Sequence, residues 1–182
     1  MTDHPLPLSR RGFLAASSAA GLGLATTARA SSAPPFPDSP ERAAFSYEIE
    51  RSEADWRAML DDEEYHILRE GGTELPASSE LWNETRPGTY GCRGCNLHVY
   101  SSEWKVPLEK GWAFFAHSED NTVMTSIDGP QEVYGMDPDG PGNLIEAHCR
   151  RCGSHLGHIL LVEGEVLHCI NGRSLTFESR EA

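Results

Sequence analysis

Cys149 to Asn171 reads CRRCGSHLGHILLVEGEVLHCIN, and its texture decides the fold. A C-x-x-C pair opens it at Cys149 and Cys152, with Gly153 at the turn that follows. Two short β-rich pieces come next, His158–Val162 and Val166–Ile170, the second ending at Asn171-Gly172. Strict alternation along Val166–Ile170 puts Leu167, Cys169 and Asn171 on one face and His168 and Ile170 on the other. Similar pieces, Leu97–Tyr100, Ala113–Ala116 and Ser174–Phe177, are separated by Gly, Pro, Asn and Asp. The expectation is a mainly β fold with an antiparallel core.

Upstream, Cys92-Arg93-Gly94-Cys95 repeats the spacing, with Asn96 at its turn. Two residues between thiols let a tight knuckle aim both sulfurs at one tetrahedral ion, and two knuckles complete a Cys₄ zinc site. The 53 residues between the pairs exceed the usual zinc-ribbon gap of about 15–20, so such a metal ties together distant hairpins. Structural disulfides, redox-active pairs and partly empty knuckles are the competing readings. Of five cysteines, Cys169 is left over. Free cysteine is well suited to a core, but His155 and His158 just after the second knuckle make this thiol a candidate for chemistry. Two imidazoles near a thiol can lower its pKa, position a water and donate protons.

Toward the N-terminus, Ser52-Glu53-Ala54-Asp55 is an N-cap signature before Trp56, Met59 and Leu60. Asp61–Arg69 extends the helical texture to Gly71-Gly72. Residues 31–40 hold four prolines and read as a linker, and residues 41–182 as one domain. Residues 1–30 read as a twin-arginine signal peptide: Arg10-Arg11, a weakly apolar run, then Ala28-Arg29-Ala30 with small residues at −3 and −1 of a cleavage point. Export to a bacterial periplasm or cell envelope is the expectation, with no stable membrane anchor after cleavage. Removing that segment takes three basic residues and one acidic residue from a chain of net charge −13. The acidity argues against nucleic acid and against anionic membrane surfaces as partners.

From about Phe45 to Phe177 the chain resembles the methionine-R-sulfoxide reductases, the MsrB or SelR family. The resemblance rests on Tyr65–Glu70 with Gly72-Thr73-Glu74, Gly88-Thr89-Tyr90, Leu97–Lys105, Gly111-Trp112, Cys149–His158 and Cys169-Ile170-Asn171. It implies two antiparallel sheets with short N-terminal helices, and one structural zinc on Cys92, Cys95, Cys149 and Cys152. It implies Cys169 as the nucleophile toward sulfoxide sulfur, with His155 and His158 assisting at the departing oxygen. Trp112 is then the residue that packs on the substrate methyl, and Asn171 supports the site. The implied activity is that of a peptide-methionine (R)-S-oxide reductase acting on oxidised methionine in proteins or peptides through a sulfenic acid.

Four departures from the family pattern bear on that activity. Leu167 stands where the family usually has arginine, and Val162 where it has an acidic residue; their joint loss looks like removal of one ion pair. Ala113-Phe114 replaces Pro-Ser after the pocket tryptophan, and Pro107-Leu108-Glu109 replaces Asp-Ser-Gly before it. With four cysteines on zinc no resolving thiol remains, so reduction falls to an external thiol or a thioredoxin-like partner. The alternative is a catalytically impaired, zinc-stapled domain that binds a partner.

Overall fold

A computed structural model describes residues 45–137, 139 and 142–180. The expected signal peptide and linker, residues 1–30 and 31–40, lie outside the described residues. Two helices come first, α1 (Glu53–Met59) and α2 (Asp62–Glu70), each started by a capping box. Ser52 Oγ accepts from Asp55 N while Asp55 Oδ2 accepts from Ser52 N; Asp61 and Glu64 repeat the exchange at α2. Such reciprocal bonds satisfy amides that a helix start leaves without partners. Gly71, at φ 73°, ends α2 in the left-handed conformation that glycine tolerates.

Nine strands follow among the described residues: β1 (Gly88–Cys92), β2 (His98–Ser101), β3 (Lys105–Val106), β4 (Ala113–Phe115), β5 (Val123–Asp128), β6 (Leu144–Cys149), β7 (His155–Val162), β8 (Glu165–Ile170) and β9 (Leu175–Ser179). They form a three-stranded sheet, β2-β1-β9, and a six-stranded sheet, β3-β4-β8-β7-β6-β5. All neighbours are antiparallel. This is the expected architecture of two antiparallel sheets with short N-terminal helices. β7 begins three residues earlier than its alternation suggests, at His155. β1, β5 and β6 lack a clear alternating signature: β1 contains two glycines, and β5 and β6 carry polar residues on their exposed parts.

The main core draws Trp56, Ile67 and Leu68 from the helices, Tyr90, Val99 and Tyr100 from the small sheet, and Phe115, Leu156 and Ile170 from the large one. Tyr100 stacks on Phe115 at 4.4 Å between ring centroids, and Tyr90 meets Phe115 edge-on at 5.0 Å. A second apolar cluster of Phe114, Leu167 and Cys169 occupies the other face of the large sheet. Adjacent residues on β4 and β8 belong to opposite clusters, as the two-residue period of a strand requires.

The helical layer braces both cysteine knuckles. Trp56 lies between two arginines, with the Arg51 guanidinium 4.8 Å and that of Arg69 4.5 Å from its ring. Arg51 donates to Gly94 O in the first knuckle (3.1 Å) and Arg69 to Cys152 O in the second (3.2 Å). Each guanidinium therefore combines ring stacking with a hydrogen bond to a knuckle carbonyl.

Candidate metal and thiol sites

The two knuckles are built alike. Asn96 N donates to Cys92 O (2.7 Å) and Gly153 N to Cys149 O (2.8 Å), with Asn96 and Gly153 both at positive φ. Cys92 N then reaches Leu97 O, and Cys149 N reaches Ser154 O, at 2.8 Å each. These turns gather the Sγ atoms of Cys92, Cys95, Cys149 and Cys152 within 4.8 Å of one another. The cross-knuckle pairs Cys92–Cys152 and Cys95–Cys149 lie at 3.8 and 3.5 Å. A tetrahedral ion with metal–sulfur bonds of about 2.3 Å has sulfur–sulfur edges of about 3.8 Å, whereas a disulfide needs about 2.0 Å. The four residues fit a thiophilic tetrahedral ion, and all five cysteines are free thiols.

The second site lies on the opposite face of the large sheet. Cys169 on β8 pairs across the ladder with His158 on β7 and Phe114 on β4. Glu146 on β6 pairs with His158, and Ser126 on β5 with Glu146. One transverse row therefore runs from Phe114 to Ser126 through the thiol, an imidazole and a carboxylate.

His155 and His158 are three residues apart, so an unbroken strand would aim them to opposite faces. A bulge prevents this. Ala147 pairs with Gly157 and His148 with His155, leaving Leu156 as the extra residue; an inserted residue of this kind re-aims the side chains beyond it. The rings of His155 and His158 then sit 5.2 Å apart. Gly157 carries a second duty: a Cβ there would lie 2.9 Å from Ile170 Cα and collide with the Cys169 carbonyl. Only glycine allows β7 to come this close to the strand that holds the thiol.

Each histidine is oriented by a carboxylate. His155 Nδ1 lies 2.8 Å from Glu146 Oε1, and His158 Nε2 lies 3.0 Å from Asp128 Oδ2. The His155 bond, helped by Ser126 and His148, pulls the Glu146 carboxyl down to about 2. His155 Nε2 is buried without a protein hydrogen-bond partner. Burial pushes His158 below the usual imidazole range, against the pull of Asp128, so its neutral form is favoured.

Cys169 is 2% exposed. Burial pushes its thiol up to about 12, the charge of Glu74 adds to that push, and the neighbouring Tyr134 eases it. Leu167, Val162 and Trp112 all pack in the same apolar cluster as Cys169. These side chains surround the thiol with hydrocarbon.

Glu74 holds the rim together. Its buried carboxylate accepts from Gly172 N (2.6 Å) and Arg173 N (3.0 Å), its own N–H donates to Asn171 Oδ1 (3.0 Å), and its carbonyl accepts from Trp112 Nε1 (3.3 Å). Asn171 Nδ2 donates to Leu156 O. The Asn171 amide therefore braces the bulge and the Glu74 backbone rather than the sulfur.

The SelR domain description matches residues 60–179, which takes in both sites. The chain belongs to the SelR domain family. Peptide methionine sulfoxide reductase MsrB of Agrobacterium fabrum is 36% identical over 138 residues, covering 73% of this chain and 95% of that protein. MsrB of Methanosarcina mazei is 37% identical over 137 residues, covering 73% and 91%. Peptide methionine sulfoxide reductase B3 of Arabidopsis thaliana is 36% identical over 134 residues, covering 71% and 70%. Within this SelR domain, sequence reasoning singled out the thiol, both histidines, the tryptophan and the asparagine. It missed Asp128, Tyr134 and Glu146, and it noted Glu74 only as part of a motif. Polar residues two apart, Ser126 and Asp128 in β5 and Glu146 and His148 in β6, are the faint signal that could have found two of them.

Proposed function

We propose that this chain is a peptide-methionine (R)-S-oxide reductase with Cys169 as its nucleophile. The observation that carries the reading is one sheet face on which Cys169, His158 and His155 converge beside Trp112, in a chain related to methionine sulfoxide reductases over most of its length.

The Cys169 sulfur attacks the sulfoxide sulfur and the S–O bond breaks. The oxygen passes to the Cys169 sulfur as the transient bond between the two sulfurs breaks, which releases methionine and leaves a sulfenic acid bearing the former thiol proton. An external thiol then attacks the sulfenic sulfur, forming a mixed disulfide and releasing water, and a second thiol restores Cys169. The reductant is external because the other four sulfurs form their own group. His155, with Nδ1 on Glu146, has Nε2 free to hold the departing oxygen through water. Trp112, tethered to Glu74, offers its ring to the substrate methyl.

The four thiolates fit zinc best among common ions by donor softness and geometry. Bound there, zinc supplies a structural cross-link between the knuckles and leaves no open position for chemistry. The same proposal places the domain outside the cytoplasm. Arg10-Arg11 and Ala28-Arg29-Ala30 support export through a leader ending at Ala30, with residues 31–40 as a tether; mature protein from the envelope would then begin at Ser31.

The decisive assay incubates the protein and Cys169→Ser with both sulfoxide epimers of a methionyl peptide and dithiothreitol. Loss of the R epimer with the unsubstituted protein alone supports the assignment, and equal background turnover by both would falsify it. That second outcome supports a zinc-stapled binding domain, the reading favoured by Leu167, Val162 and the raised Cys169 thiol.

A further inference from the structure

Attack by Cys169 needs its proton removed, and the departing oxygen needs a proton. Leu167 supplies no charge for either task. The large sheet instead presents a line of hydrogen-bonding groups that runs from Asp128 through His158 to Tyr134, which packs against the cluster containing the thiol. Asp128 at the end of β5 is fixed by Gly129 N (2.7 Å) on one oxygen and by Gln131 Nε2 (3.1 Å) on the other. The oxygen bound by Gln131 also meets His158 Nε2 at 3.0 Å. The opposite ring nitrogen, His158 Nδ1, lies 3.3 Å from the Tyr134 hydroxyl. Tyr134 meets the His158 ring edge-on at 5.6 Å and packs against the cluster containing Cys169. His158 and Cys169 are direct cross-strand partners.

We infer that Tyr134 and Asp128 are further working groups of this site, the Tyr134 hydroxyl passing the proton between the Cys169 thiol and His158 Nδ1 while Asp128 fixes the imidazole tautomer that receives it. As the S–H proton passes to the Tyr134 oxygen, the phenolic proton passes to Nδ1. Tyr134 is unchanged, and a thiolate faces an imidazolium stabilised by Asp128. That imidazolium stands in for the guanidinium missing at Leu167. After sulfur attack the proton returns along the same path to the transferred oxygen. The ionisation half of this scheme is independent of the substrate; the return half rests on the reductase reading.

The charged or titratable groups that act on His158 and Cys169 are Asp128 from β5, Glu146 from β6, His155 from β7, Tyr134 from the turn after β5, and Glu74 from the segment after α2. β4 contributes Phe114. Asp128 and Glu146 favour an imidazolium, whereas His155 opposes it and Glu74 opposes the thiolate. Tyr134 is the group that eases thiol ionisation.

The test uses the full chain and its Tyr134→Phe, Asp128→Asn and Asp128→Glu variants, with Cys169 alkylation by iodoacetamide followed by mass spectrometry from pH 6 to 10. Tyr134→Phe keeps the ring and removes the hydroxyl. It is expected to slow alkylation near pH 7.5 by about tenfold or more and to move the pH profile to higher pH. The same variant should lower kcat on the R-sulfoxide peptide by about 10²–10³ with KM nearly unchanged. Asp128→Asn should lower both rates, and Asp128→Glu should recover part of the loss. Folded Tyr134→Phe protein with alkylation and kcat profiles superimposable on the parent overturns the relay. If Tyr134→Phe does not fold, the same comparison with Asp128→Asn decides it. A parent that turns over no sulfoxide, with variants that still change alkylation, sinks the reductase reading and leaves the ionisation relay standing. Turnover by the parent with unaltered variants does the reverse.

Discussion

Restoring the missing ion pair should make the thiol more acidic. Leu167 lies two residues before Cys169 on the same face of β8, about 7 Å along the strand. Val162 lies diagonally across the β7–β8 ladder, since Leu160 pairs with Leu167 and Val162 with Glu165; such neighbours are about 7–8 Å apart, within reach of an arginine. Burial has taken the Cys169 thiol from 9.0 to about 12, which cuts the thiolate fraction at neutral pH about a thousandfold. An opposite charge within about 4–6 Å lowers an acid by about 1–3 pKa units. Leu167→Arg with Val162→Asp should therefore raise alkylation of Cys169 at pH 7.5 by about 10- to 1000-fold. Leu167 is only 6% exposed, so Leu167→Arg alone buries an uncompensated charge and should cost about 3–5 kcal/mol. The melting temperature then falls by roughly 10–20 °C, and the aspartate should return much of it. Thermal melts and pH-dependent alkylation, with Cys169 quantified apart from the other thiols, test both parts. A folded double variant whose Cys169 reacts no faster than the parent's refutes the claim that missing charge limits the thiol.

Three further outcomes follow from other contacts. Gly157→Ala drives a methyl into the Cys169 backbone; it should cost about 1–3 kcal/mol and reduce turnover more than stability predicts, measured by melting and kcat. Glu146, held down to about 2 against an ordinary 4.5, contributes stability that is present above pH 4.5 and lost as pH falls toward 2. That contribution is about 3 kcal/mol, so urea titrations of parent and Glu146→Gln should differ at pH 6 and converge near pH 2. Removal of bound metal with a strong chelator, or Cys149→Ser, should lower the melting temperature by more than 10 °C, since structural zinc binding is itself folding free energy of about 10 kcal/mol or more; an unchanged melt contradicts a metal staple.

The helices and the central strands were readable because their signals are local. Ser52 and Asp61 each carry a carboxylate partner three residues on, and Gly71 supplies the left-handed end. β8 alternates cleanly because its two faces meet different apolar clusters. β1 is harder to read because glycine supplies no side chain to alternate. β5 and β6 are harder because exposed apolar residues, Ile127 and Ile145, share their outer stretches with polar ones. Strand pairing within each sheet is set by contacts far apart in sequence, such as Cys92 with Leu175 and Ala113 with Ile170, which no local period reports.

The site divides along the same line. A thiol, two histidines and a tryptophan announce themselves by residue type, but whether two histidines three residues apart can cooperate depends on the bulge at Leu156, invisible to a two-residue period. The bulge and Gly157 act together: the extra residue turns His155 to His158's face, and the absent Cβ lets that face close on Cys169. The carboxylates come from strands with no motif at all, one for each histidine. Leu167 and Val162, read as a loss from the family pattern, take a different meaning beside them. The charges that orient this site come from β5 and β6, where Asp128 and Glu146 face imidazoles. A chemistry that relied on a fixed positive charge beside sulfur would fail here. One that generates its positive charge on an imidazole when the proton leaves the thiol has Asp128, His158 and Tyr134 hydrogen-bonded in line, with Tyr134 packed against the thiol's cluster.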